Sequence, residues 1–365
     1  MITISLCMIV KDEEAVIGRC LDSVKDLVDE INIIDTGSTD RTKNIVSTYT
    51  ERVFDFSWTD HFGEARNYSF QQATKEYVLW LDADDIFMPE DREKFKALKQ
   101  QLNSDYDAIT MDYNLSLDEE GQVASSLKRH RLVKKENNFV WIGAVHEYLA
   151  VSGNIFDSDV EVTHLPLNHD CNRNLRIYEN QLASGEILSN RDTFYYANEL
   201  ADHQEFKVAT LYYHKFLDSE AGWVEDNIRA CFRLADCYHK LGQPKKAMDA
   251  TLLSLTFDAP RPEACCRLGH YFMEKANNEA AIQWYLQALQ TQTSNKMGFH
   301  NKAFSTWLPH LQLCVLYDRL QEYKVAYQHN ERARYYKPDD PSIKQNKIYL
   351  EERLKTDKEQ CDEST

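Results

Sequence analysis

Tyr77-Val78-Leu79-Trp80-Leu81-Asp82-Ala83-Asp84-Asp85 is the stretch on which the fold turns. Its apolar run reads as a buried strand, and it stops in three carboxylates packed into four positions. Like charges this close repel unless a cation lies among them. Hard divalent ions such as Mg2+ and Mn2+ prefer carboxylate oxygen and answer that need. Open α/β sheets bind their ligands beyond the carboxyl ends of their strands, where these acids stand. Asp-x-Asp alone is a common pattern, so its weight comes from its neighbours.

Upstream, Ile2–Val10 reads as a strand. Glu13–Leu27 reads as a helix, with Val16, Ile17, Cys20, Val24 and Leu27 at helical spacing. Glu30–Asp35 and Arg52–Phe56 read as strands, and Thr39–Tyr49 and Gly63–Thr74 as helices. This βαβαβαβ order predicts an α/β domain with a mostly parallel sheet covered by helices. From Asp105 to Val162 the pattern is more β-rich and irregular, which suggests an added mixed sheet.

Beyond about residue 175 strand signals stop. Arg229–Leu255 superposes on Glu263–Leu289 at an offset of 34 residues. Arg233-Leu234-Ala235 answers Arg267-Leu268-Gly269, Ala247 answers Ala281, and Leu255 answers Leu289. That period, with small residues at helix crossings, is the signature of tetratricopeptide repeats. A third copy fits Leu311–Pro338, set out of phase by a polar insertion at Thr291–Asn301, and a poorer one fits Tyr195–Phe216. The division expected is 1–170 for the α/β domain, 171–354 for an all-α repeat domain and 355–365 for a disordered charged tail.

The chain has 365 residues, enough for two cores, and a net charge of −17, which argues against a nucleic-acid partner. Ile2–Val10 is too short to span a bilayer and lacks the flanks of a secretion signal. The nine cysteines are scattered without CxxC spacing, so they read as small core hydrophobes in a reducing, cytoplasmic setting.

Three further segments surround the acidic strand end. In Met8-Ile9-Val10-Lys11-Asp12-Glu13-Glu14 a strand breaks into charge, where backbone can bracket a flat base or the acids can serve the next helix dipole. In Asp35-Thr36-Gly37-Ser38-Thr39-Asp40 the aspartate can accept hydrogen bonds from a base or ribose, while Ser38 or Thr39 is expected to cap a helix. Phe62-Gly63-Glu64-Ala65-Arg66-Asn67 places a guanidinium just before the acidic strand, suited to a diphosphate.

Together, Ile9-Val10-Lys11-Asp12-Glu13-Glu14, Asp35 to Asp40, Ala65-Arg66-Asn67 and Leu81-Asp82-Ala83-Asp84-Asp85 resemble the family 2, GT-A-type glycosyltransferases. Trp141-Ile142-Gly143-Ala144-Val145-His146-Glu147 extends the resemblance to a bacterial subgroup with tetratricopeptide repeats behind the catalytic domain. That subgroup includes peptide S-glycosyltransferases of the sublancin type, which modify bacteriocins. One departure is Lys11-Asp12, where many members have Tyr-Asn, which puts an aromatic stack on the base in doubt.

The resemblance implies an inverting, metal-dependent transfer of a hexose from a nucleotide sugar, expected to be a UDP-hexose, to a Cys or Ser side chain of a peptide or protein. It implies nucleotide contacts from Ile9, Lys11, Glu13, Asp35, Arg66, Asp82 and Ala83, and an Mg2+ or Mn2+ ion on Asp84 with His164 as a second ligand. Glu147 is the leading candidate for the base that takes the acceptor proton, with Asp85 as competitor. Arg129, His130 and Arg131 can face the diphosphate or form the solvated side of a strand. The repeats, rich in tyrosine, suit an extended peptide or another subunit, a homodimer included. A carbohydrate or cell-envelope acceptor is the alternative within the enzyme class. A repeat scaffold with an inactive transferase domain is the alternative outside it.

Overall fold

A computed structural model describes residues 2–102, 105–117, 121, 123–167, 172–291 and 300–363, without the side chains of 300 and 357–363. The chain forms two compact units, one running to Glu199 and the other beginning at Leu200, later than the break expected from the loss of strand signals.

The first unit opens as β1 (Ile4–Val10), α1 (Ile17–Val24), β2 (Glu30–Asp35), α2 (Thr42–Val46), β3 (Val53–Asp55), α3 (Phe62–Gln71) and β4 (Tyr77–Trp80). It continues as β5 (Asp85–Ile86), α4 (Pro89–Gln101), β6 (Ala108–Leu117), β7 (Val123–Lys134), β8 (Trp141–Ile142), β9 (Tyr148–Leu149) and β10 (Ile155–His164), then α5 (Arg173–Ala183) and α6 (Asn190–Asp202). The main sheet runs β3-β2-β1-β4-β7-β6-β10-β5. The β1–β2, β2–β3 and β1–β4 pairs are parallel, as the βα alternation predicts. The later strands make it mixed: β7 is antiparallel to β4 and β6, while β10 is parallel to β6.

Side chains alternate across this sheet. Ile4, Leu6, Met8 and Val10 of β1 join Tyr77 and Leu79 of β4 in one core with Ile17 and Leu21 of α1 and Phe95 of α4. Cys7, Val78 and Trp80 face the other way, toward Trp141 and Leu149. Burial on both faces explains why the first strands read as unbroken apolar runs. Because the chain winds outward from β1 in both directions, a crevice opens at the carboxyl ends of β1, β2 and β4.

Ser38 and Thr39 do not cap a helix as expected. Helix α2 starts at Thr42, whose N–H donates to Asp40 Oδ1 at 2.8 Å. Ser38 Oγ instead accepts from Asp12 N at 3.0 Å, and Thr39 N donates to Asp12 Oδ1 at 2.6 Å. These bonds tie the two strand-end loops together and hold Asp12 at a positive φ of 53°.

The second unit is helical: α7 (Phe206–Leu217), α8 (Val224–Lys240), α9 (Pro244–Leu253), α10 (Pro262–Glu274), α11 (Asn278–Gln290), α12 (Trp307–Arg319), α13 (Tyr323–Tyr336) and α14 (Pro341–Glu363). The pairs α8/α9, α10/α11 and α12/α13 pack as the three repeats require. The insertion that separates the last two falls mostly outside the described residues. Helix α14 runs on to Glu363, so the backbone beyond Lys355 is helical where disorder was expected. The seven cysteines whose side chains are described are buried and form no disulfide. No described helix is long and apolar enough to cross a membrane.

Gly269 marks a helix crossing: a Cβ there would sit 2.9 Å from the buried ring of Tyr285. Gly269→Val should therefore destabilise the second unit by about 2 kcal/mol, read as a lower calorimetric midpoint for its transition. The α12/α13 pair also contains two histidines with Nδ1 atoms 2.9 Å apart. Burial first, then His329 and Arg332, push His310 down to about 4, and burial lowers His329 as well. Both are held neutral, so their contribution is complete above the unfolded value of about 6.5 and is lost as pH falls from there toward 4. The thermal midpoint should drop over that window, and less steeply in His310→Gln.

Candidate active site

The crevice collects most of the predicted residues, and the reason begins with helix α3. Its first turn docks the Trp141–Glu147 loop: Phe62 N donates to Ala144 O at 2.8 Å, and Gly63 N to Gly143 O at 3.2 Å. The approach is so close that a Cβ on Gly63 would lie 2.7 Å from Gly143 O. Asn67 holds both sides of Trp141, accepting from its N–H at 2.8 Å and donating to its carbonyl at 3.0 Å. Gly143 at φ 109° and His146 at φ 51° then turn the chain so that Glu147 meets Arg66.

Arg66 is the centre of this cluster. Its Nε donates to Glu147 Oε1 at 2.5 Å, and its NH2 to Asp82 Oδ1 at 2.7 Å. The guanidinium lies 5.0 Å from the Trp80 ring centroid and 4.9 Å from that of Trp141, with its side chain 10% exposed. Burial opposes the charge, but Asp82 and Glu147 outweigh it and raise its pKa. For Asp82 burial is outweighed by Arg66 and Arg131, which lower it to about 2.

A second cluster lies beside it. The β5–β10 register sets His164 opposite Asp85, and the ligand atoms of Asp84, Asp85 and His164 fall within 4.8 Å of one another. His164 Nδ1 is 3.4 Å from a carboxylate oxygen of each aspartate. Burial alone would lower its pKa, but these two acids raise it to about 10. Asp85 is fully buried, held by Arg131 NH2 at 3.0 Å and by the Asp82 N–H at 3.0 Å. The Asp85 side chain has no exposure, whereas that of Glu147, the other acid considered as a base, stays 9% exposed.

Asp35 ends β2 almost wholly buried. Its Oδ2 accepts from Gly37 N at 3.1 Å and Ser38 N at 3.0 Å, while its Oδ1 is buried with no partner. Ile9 is half-buried near the end of β1, Lys11 is exposed just beyond it, and Ala83 is buried between the aspartates. Burial first, then the charge of Asp84, push Glu13 up to about 7.

The alternative of a solvated strand side fails for Arg131, which is fully buried, its guanidinium 3.9 Å from the Trp80 ring and 4.3 Å from that of Tyr113. Sequence reasoning missed Arg173, whose charge acts on Glu13 while its guanidinium lies 4.7 Å over Phe62. It also missed the platform in which His146 stacks on Tyr195 at 4.2 Å. His146 lies in the Trp141–Glu147 motif, but Arg173 and Tyr195 carry none; only the return of α5 and α6 to this crevice makes them neighbours.

Residues 5–141 match the family Glycosyl transferase family 2, and residues 228–259 and 262–295 match Tetratricopeptide repeat. The TPR repeat-containing protein Synpcc7942_0270 of Synechococcus elongatus is 43% identical over 103 residues, 28% of this chain and 25% of that protein. The SPbeta prophage-derived glycosyltransferase SunS of Bacillus subtilis is 33% identical over 102 residues, 27% of this chain and 24% of that protein. The matched stretch thus spans about a quarter of the length of these relatives. Among solved structures, glucosyl-3-phosphoglycerate synthase from Mycobacterium tuberculosis with Mn2+ and uridine-diphosphate-glucose covers 52% of this chain and 81% of its own at 17% identity and a TM-score of 0.35.

Proposed function

We propose that this chain, which carries a glycosyl transferase family 2 domain ahead of tetratricopeptide repeats, moves a hexose from a nucleotide sugar to a side chain of a peptide or protein. The observation that carries this reading is the Asp84–Asp85–His164 cluster at the mouth of the family 2 sheet, beside Arg66. Its donor set of two carboxylates and an imidazole suits Mg2+ or Mn2+. The proton that these acids hold on His164 stands where such a cation would serve equally well. When bound, the ion would neutralise the leaving diphosphate.

The chain's own residues divide the remaining work. Asp35 Oδ1, buried and unpartnered, fits an N–H or O–H of the base or ribose, and Ile9, Lys11 and Glu13 border the same crevice. Arg66 orients Asp82 and Glu147 and excludes water with the two tryptophans. Glu147, held through Oε1, keeps Oε2 for the acceptor proton, and attack from that side opposite the leaving group inverts the anomeric centre. A thiol acceptor would ask less of this base than a hydroxyl, because it is already partly ionised near neutral pH. A peptide acceptor is favoured by the repeats, whose stacked helix pairs form surfaces suited to extended chains.

The test is a thermal-shift and hydrolysis screen against sugar nucleotides in Mn2+, Mg2+ or EDTA. One donor should stabilise the protein and be slowly hydrolysed only with metal. Indifference to every donor under all three conditions would sink the transferase reading.

A further inference from the structure

Most charges in the crevice pair off, and Glu13, Arg129 and Arg173 stand outside those pairs. Arg66 takes Asp82 and Glu147, Arg131 takes Asp85, and His164 sits between Asp84 and Asp85. Among those left outside, Arg129 lies two residues from Arg131 on β7, across the register shift at which Arg131 is left out of the ladder. It stands opposite Met111 of β6, on the part of the strand beyond its pairing with β4. Its Nε is closed to solvent without a hydrogen-bond partner, and among the described residues no carboxylate lies within ion-pair distance of its guanidinium. Burial lowers its pKa, and the ionisable groups that bear on it most are Tyr195, Arg131, Tyr113 and Glu147. Arg129 is half-buried, and a guanidinium partly set into protein with no ion-pair partner leaves its remaining N–H groups free to meet an incoming anion.

From this juxtaposition we infer that Arg129 binds an oxyanion of the acceptor, a carboxylate or phosphate close to the side chain that receives the sugar. The acceptor is favoured over the donor because Tyr195 and Glu147 are among the groups that bear on Arg129, and the cation cluster, from whose side Arg131 and Tyr113 also act, is already matched by Arg131 and His164. Arginine suits the task because its planar fork grips a carboxylate or phosphate through two parallel hydrogen bonds. The inference rests on the transferase reading and deepens it, assigning an acidic peptide as the substrate class.

The test uses the full chain and fluorescent peptides centred on Cys or Ser, with flanking positions set to Glu or to Gln, and reads binding by anisotropy. Wild type should bind the Glu set about tenfold or more tightly, the worth of a charge-assisted hydrogen bond. R129M should lose that preference and R129K should keep part of it. Calorimetric binding of UDP with Mn2+ should be unchanged in R129M. Its thermal midpoint should stay level or rise, since no internal partner is lost, whereas a structural arginine would lower it. Equal binding of both peptide sets by wild type would overturn the inference. Loss of UDP binding in R129M would overturn it too, by moving the anion to the donor side. Because binding rather than transfer is measured, failure of the parent reading would register separately, as absent donor hydrolysis.

Discussion

Asp84→Ala should cut metal-dependent sugar transfer about a thousandfold, some 4 kcal/mol of barrier, while leaving the protein folded. Asp84 is one of three residues whose ligand atoms converge, and Asp85 cannot replace it because Arg131 already holds that carboxylate. The fold should tolerate the change because Asp84 stands among like charges on Asp82 and Asp85, whose relief offsets the loss of one of the two carboxylate partners of His164. In EDTA the thermal midpoint should therefore stay close to that of the wild type, and the rise on adding Mn2+ should vanish. Asp84→Asn should behave similarly, since the amide keeps the shape but not the charge. Full activity in either variant would remove Asp84 from the metal site. A collapse in EDTA would make it a structural residue instead.

Arg66→Ala should fail in a different way, losing stability and activity together. Two carboxylates converge on this guanidinium between two indole rings. Truncation leaves Asp82 and Glu147 facing each other with no counter-charge, a loss of about 3–5 kcal/mol for a buried pair. Chemical denaturation should show it as a lower midpoint at unchanged slope. Arg66→Lys should recover only part, because an ammonium cannot reach both acids along separate directions. The paired variant Arg66→Met with Glu147→Gln separates the causes: much of the stability should return and the activity should not. If Arg66→Ala unfolds no more readily than wild type, the ion-pair cluster is not holding the Trp141–Glu147 loop to α3.

Much of this site was legible in the chain. Asp35, Arg66, Asp82 and Asp84 stand next to strands or in helices whose apolar periodicity declares them, and the sheet rule places strand ends together. Ser38 and Thr39 misled because a Ser-Thr pair before a helical pattern looks like a cap. In the fold a stronger local demand, the strained Asp12 turn, takes both of them. Arg131 was unreadable for another reason. A basic residue in a β-rich segment is ordinarily solvated, and only the buried carboxylate of Asp85 turns that position into the interior.

The sequence by itself determined the order of strands and helices, the parallel start of the sheet, the repeat period and the acidic strand end, because each is written in periodicity or in residues a few positions apart. Only the tertiary structure decided which charges neutralise one another. Arg66 meets Glu147 across 81 residues and Arg131 meets Asp85 across a sheet; which of several like residues finds a partner depends on registers and on a glycine contact that no short window contains. It is that pairing, not the list of charged residues, that leaves Arg129 unmatched.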